Sequence, residues 1–308
     1  ISSMRAAVSN QFITTLSEQG FTVVPQEKML AVRREWRVRD GRSIPLGFME
    51  NLVDSLAVEI LLVADLIVQH DRLIMTARYL NPASAILLKV NMTEHLIAQF
   101  PGDVAEGAGV EWLVGAREVS KIVADASMTS MAEPDSTKGP LLILDTQPVG
   151  CSASVTLIAN HALLKSYVEQ GDSVLIDPSV VNSALRDAGF SAKYLGVDAR
   201  ALLLKTFAAR NLMVSGLTSY SPASKNRGKF YEDDETLDWA GPLLTDFAMS
   251  LRMIDLETGS ITAGKEVFLA ASDGVGWFGV RRKDTLMIRL KVTADRLWSD
   301  LNNAMEEF

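Results

Sequence analysis

The sequence predicts an α/β chain of the α+β kind: two tandem α/β sandwich domains, each running strand–helix–strand–helix into an antiparallel meander. Three observations predict it. The chain repeats itself at an offset of 151 residues. Runs with apolar residues at helical spacing alternate with short β-branched and aromatic runs, in the same order in each half. Long strand-like runs meet at turn residues, namely His70-Asp71, Asn81-Pro82 and Asp255-Leu256-Glu257-Thr258-Gly259, as a meander requires.

In the first copy, Met4, Val8, Phe12 and Leu16 stand near helical spacing, and Gly20 ends that helix because it tolerates a left-handed cap. The β-branched and aromatic run 21–24 predicts a strand, and a helix follows over 48–58. Strands are expected over 60–69, 72–80 and 86–90. In the second copy the expected order is strand 141–145, helix 155–168, strand 174–176 and helix 178–188, then strands over 211–219, 247–255 and 267–271. A final amphipathic helix over 294–307 sets Leu297, Leu301 and Met305 on one stripe. The first copy begins helical, so an opening strand like 141–145 is expected ahead of it or from elsewhere.

The repeat rests on three matches in the same order. Ser17-Glu18-Gln19-Gly20 answers to Val168-Glu169-Gln170-Gly171, and 60–66 answers to 211–217, both at the 151-residue offset. Residues 75–84 then answer to 249–258 at an offset of 174, which places a 23-residue insertion within 219–242. These bounds divide the chain into a first repeat, 1–92, an intervening stretch, 93–138, and a second repeat with a C-terminal helix, 139–308. The intervening stretch carries Val110, Leu113, Val114, Val119 and Ile122 at helical spacing, which predicts a helix over 110–126, and then a Ser/Thr/Pro/Gly-rich linker.

Composition excludes several classes of function. With 48% apolar residues the chain can bury a large core, and a net charge of -8 argues against a nucleic-acid binder. Three histidines and one cysteine rule out a Cys-rich zinc module, an intrachain disulfide framework and a multi-histidine metal centre. Gly274-Val275-Gly276-Trp277-Phe278-Gly279 spells GxGxxG, but no apolar-periodic helix follows and only 29 residues remain, so it reads as a glycine-rich turn. Cys151 reads as a buried small residue, and its pairing with His161 as nucleophile and base lacks an orienting third group. His70 and His95 are expected at solvent. No catalytic, cofactor-binding or metal-binding residue is therefore assigned, no cofactor is expected, and the chain is expected not to be an enzyme.

One basic cluster stands out in this acidic chain: Arg33, Arg34, Trp36, Arg37, Arg39 and Arg42. It is a candidate interaction patch for an acidic surface such as the run Glu232-Asp233-Asp234-Glu235 of a neighbouring copy, which lies in the polar insertion.

Two sets of residues resemble known families. Leu212-Met213-Val214-Ser215-Gly216 with Leu251-Arg252-Met253-Ile254-Asp255-Leu256-Glu257-Thr258-Gly259 resembles the CsgG-type family of outer-membrane lipoproteins of curli export, with a fold like that family and the TolB N-terminal domain. Gln19-Gly20-Phe21-Thr22-Val23-Val24 with Met75-Thr76-Ala77-Arg78-Tyr79-Leu80-Asn81-Pro82 resembles the FlgO-type flagellar outer-membrane lipoproteins. The resemblance implies a structural, non-catalytic part of a bacterial cell-envelope assembly, such as a secretion channel, pilus or flagellar outer-membrane ring. It implies the periplasm or outer membrane of a Gram-negative bacterium, and partnership with further copies in a ring and with other envelope proteins. Nucleic acid is not an expected partner; peripheral membrane association through an upstream anchor is. The alternative is a periplasmic binding or adaptor protein acting as monomer or dimer.

Overall fold

A computed structural model describes residues 2–69, 72–96, 117–118, 120–123, 139–171, 174–220, 246–269 and 286–306. In chain order its elements are α1 (Ser2–Glu18), α2 (Gln26–Glu35), α3 (Leu46–Leu56), β1 (Leu61–Gln69), β2 (Arg72–Leu80), β3 (Leu87–Leu96), β4 (Leu141–Ile143), β5 (Gln147–Val149), α4 (Ala153–Gln170), β6 (Leu175–Ile176), α5 (Pro178–Asp187), α6 (Val197–Phe207), β7 (Asn211–Tyr220), β8 (Asp246–Asp255), β9 (Ile261–Leu269) and α7 (Leu286–Glu306). The fold is mixed α+β, with two separate meanders. The chain divides into two compact units: Ile1–Lys138 with Ser173–Ser191, and Gly139–Asp172 with Ala192–Phe308. The segment carrying β6 and α5 lies in the second half of the sequence, yet it packs with the first unit.

In unit one, β1, β2 and β3 form an antiparallel meander. Leu73 to Leu80 are all buried, so both faces of the middle strand are covered. One face turns Met75, Ala77 and Tyr79 against Phe12 of α1 and against Val123, with Val8, Leu16, Ile60 and Leu62 around them. Residues 120–123 are helical, as expected for 110–126; residues 110–116 lie outside the described residues. Tyr79 Oη and Asn91 Nδ2 both donate to the Val123 carbonyl, at 3.2 and 3.3 Å. That helical segment is thus part of unit one's core.

In unit two, β7, β8 and β9 form the second antiparallel meander, and β4 and β5 both run parallel to β7. Helix α7 packs on α4 and on β8 and β9. Leu290, Leu297 and Leu301 are fully buried along it, and Tyr167 of α4 meets Trp298 edge-on with centroids 4.4 Å apart.

Several expectations need correction. Residues 21–25 form no strand; the run is β-prone, but among the described residues no neighbouring strand offers it a ladder. Strand β3 runs on to Leu96 and β9 begins at Ile261, because antiparallel pairing with a long middle strand extends both beyond their apolar stretches. Helix α7 begins at Leu286, eight residues before the expected start. Helices α2 and α6 and the short strand β5 were not expected.

The two halves carry similar local landmarks, at the repeat offsets or, for α2 and α5, one residue beyond the 151-residue offset. Helices α2 and α5 end alike: Trp36 and Ala188 have φ/ψ of -84/2 and -88/2. Arg37 and Gly189 then take positive φ, and Val38 N–H and Phe190 N–H reach back to the Arg33 and Leu185 carbonyls. Helices α3 and α6 both end on a left-handed alanine, Ala57 and Ala208, with φ of 51 and 50. The middle strands both shift register near their ends, at Tyr79/Leu80 and Met253/Ile254. The turns that follow are closed by Asn81 N–H to Ile86 O and by Asp255 N–H to Ser260 O, with Ala85 and Gly259 at positive φ.

Candidate functional site

The basic cluster occupies the end of α2 and the loop beyond it. Arg34, Trp36, Arg37, Arg39 and Arg42 are exposed and Arg33 is half-buried. The loop is held by its own groups: Arg33 Nη2 donates to Arg39 O at 3.0 Å, and Arg42 N–H donates to Asp40 Oδ1 at 3.0 Å. Trp36 lies on Gly47, where a Cβ would come within 2.6 Å of the indole, so only glycine lets the ring sit there. Among the described residues none of the five arginines has an ion pair. The cluster is therefore one exposed cationic surface with an aromatic edge. The acidic run 232–235 proposed to meet it lies outside the described residues.

The strongest polar constellation escaped the sequence reading. Arg78, on β2, donates through Nη1 to both carboxylate oxygens of Asp177, at 2.7 and 2.8 Å, and through Nη2 to Gly41 O at 2.7 Å. The side chains are 4% and 0% exposed. Asp177 also caps α5, accepting from Ser179 N–H at 2.9 Å and from the Ser179 hydroxyl, with Pro178 at the first helical position. The two buried charges compensate each other, and removing either partner would leave an uncompensated charge. The signal for Asp177 was present in the sequence as a cap before Pro178, but its partner stands 99 residues away.

In unit two the corresponding turn is held by Asp255. It accepts from Thr258 N–H at 2.8 Å and from Arg210 Nε at 2.8 Å, and these bonds hold its carboxyl down at about 2. Around the start of β5, Asn160 Oδ1 accepts from Thr146 N–H and hydroxyl at 3.2 and 3.1 Å, Asn160 Nδ2 donates to Asp145 at 3.0 Å, and the Thr146 and Ser215 hydroxyls are 2.9 Å apart. These groups are bonded to one another and tie α4 to the strand ends.

Cys151 is only partly buried, against expectation, because it lies on the irregular turn before α4. Its thiol donates to Leu217 O at 3.4 Å, and burial pushes its pKa up. His161 is buried on α4 with Nδ1 2.8 Å from Leu157 O. His95 lies in β3, not in a loop, and pairs with Glu118 at 3.2 Å. His70 and the glycine-rich 274–279 motif lie outside the described residues. Among the described residues no group of three His, Cys, Asp or Glu could hold a metal ion, and no helix is long and apolar enough to cross a membrane.

No family model matches the chain, and no curated protein matches it. Solved structures do. A lipoprotein, GNA1162, from Neisseria meningitidis is 11% identical, with a TM-score of 0.31, over 55% of this chain and 96% of that one. The C-terminal domain of LpoB from Salmonella enterica is 13% identical, with a TM-score of 0.29, over 47% and 91%. A PelC dodecamer from Paraburkholderia phytofirmans is 11% identical, with a TM-score of 0.30, over 55% and 93%. About half of this chain is thus similar to nearly the whole of each of these proteins.

Proposed function

We propose that the chain is a non-catalytic structural protein of the bacterial cell envelope, built from a duplicated α/β unit and working through contacts with further copies and with other envelope proteins. The observation that carries the reading is the set of matched landmarks: similar helix ends, left-handed residues and register shifts recur at or within one residue of the repeat offsets. A chain with two like units presents two like surfaces, which suits head-to-tail contacts that close into a ring when the rotation permits. The polar groups that the fold gathers are spent on caps, turns and strand ends, while the arginine cluster faces outward. The envelope setting rests on the CsgG-type and FlgO-type sequence resemblance. The test is fractionation of a Gram-negative host expressing the full-length gene, followed by native mass measurement. Recovery with the envelope, at a mass above the monomer, is expected; a cytosolic monomer contradicts the reading.

A further inference from the structure

Unit one shows what its meander accepts at the turn end. Segment β6–α5 lies there: Ile176 bridges Ile86, Asp177 N–H donates to Ala85 O at 3.1 Å, Ile44 N–H donates to Ser179 O at 3.1 Å, and Arg78 holds Asp177. At the repeat offset the same positions in unit two are Arg252 for Arg78, Gly259 for Ala85, Ser260 for Ile86 and Ile261 for Leu87, and all four are exposed. Leu87 is 2% exposed and Ile261 59%. Beside them Arg200 of α6 lies against Gly259, and its Nη1 is buried with no hydrogen-bond partner among the described residues.

We infer that this face of unit two receives residues 21–35 of a second copy of the chain, docked as β6–α5 docks in unit one. The inference rests on the proposed self-association and names its surface. The occupant follows from the repeat. By the end they share, α2 and α5 correspond one residue past the 151-residue offset, so residues 21–35 are the counterpart of 173–187, and Pro25 enters its helix at φ/ψ of -54/137 where Asp177 has -59/131. In their own chain they are under-used: 21–25 is irregular, and α2 buries none of its residues whereas α5 buries six. Charge changes on both sides together. Glu27 stands where α5 has Ser179, and Arg200 stands where α3, which α5 packs against, has Met49. Arg33 stands for Leu185, and Glu266 of β9 stands for Met92. The incoming helix gains an acid and a base, and the receiving face gains a base and an acid. The incoming segment and the receiving face thus carry complementary charges at these positions, so the contact is weak and salt-sensitive. The arginine cluster at the end of α2 enters the interface as part of the incoming segment.

The bridge Ile176–Ile86 supplies the test. In a Cys151→Ser background, Val24→Cys with Ser260→Cys should form intermolecular disulfides at low salt, and Val24→Cys with Ser299→Cys, at an exposed position of α7, should not. Charge reversal gives a second, independent reading. Glu27→Arg and Arg200→Glu chains should each lose self-association at unchanged circular dichroism, and an equimolar mixture should recover it, because each segment then meets a face of opposite charge. Equal cross-linking of both cysteine pairs, or reversed chains that associate like wild type, would overturn the surface. If that happens while wild type still assembles in the envelope, the proposed function survives without it; a wild-type monomer at every concentration removes both.

Discussion

Arg78 and Arg252 stand at the same register of their meanders, paired across the sheet with Val63 and Val90 in one and Val214 and Gly264 in the other. The first is buried against Asp177 and Gly41; the second is exposed. The same asymmetry runs along the third strands on that face, since Val90 of β3 is buried and Met92 half-buried, while Gly264 and Glu266 of β9 are exposed. The opposite faces are both backed by helices: Phe12 and Val123 cover β2, and α7 covers β8 and β9. Each unit thus has a helix-backed face, and the other face of the meander is covered in only one of the two. The difference separates what the fold needs from what it leaves available.

The largest effect should come from removing the buried ion pair on one side only. Arg78→Met leaves Asp177 charged and buried and should cost about 3–5 kcal/mol in denaturant unfolding. Arg252→Met should stay within about 0.5 kcal/mol. Equal costs would mean that the second faces are not different. On the shared face the units should behave alike. Phe12→Ala and Leu163→Ala, counterparts on α1 and α4, each empty a buried site and should cost about 2–5 kcal/mol. An effect confined to one would break the likeness.

A smaller effect is expected at the turns. Gly259 has φ 76, and a Cβ there would meet Arg200 Nη1 at 1.9 Å. Gly259→Ala should therefore cost about 1–2 kcal/mol from the left-handed backbone, read as a shift in Tm, whereas Ala85→Gly relieves that backbone strain in unit one. The smallest concerns pH. Asp255 is held near 2, below its ordinary 3.8, so it contributes stability that is full above about pH 4 and is lost as pH falls toward 2. Its counterpart Asn81 does not titrate. Asp255→Asn should remove that part of the acid dependence, and Asn81→Ala should leave the shape of the stability-against-pH curve unchanged.

Most long elements were legible because their apolar spacing matches their packing. Met4, Val8, Phe12 and Leu16 declared α1, and the runs at 60–69 and 211–219 declared β1 and β7. Helix α2 was not legible because it buries nothing and enters on Pro25 with no capping side chain. Helix α6 buries only Ala199 and Leu203. The run 21–24 misled in the other direction, since β-propensity without a partner strand makes no strand. The arginine cluster was found as a charge pattern and is exposed as a cluster should be. Arg78 falls within both a repeat match and the FlgO-type run, and neither marks it as buried. Its burial depends on a segment 99 residues away, which no local pattern encodes.

The central claim is that unit two's second face is open in the single chain and covered in the assembly. Hydroxyl-radical footprinting of dilute and concentrated protein at low salt tests it most directly. At high dilution Ile261, 59% exposed, should be modified readily and Leu87, 2% exposed, hardly at all. On concentration, modification of Ile261 should fall together with that of Leu30 on α2, and return on adding salt. Ile261 protected at every dilution, or unprotected in an assembly of proven mass, would contradict the account.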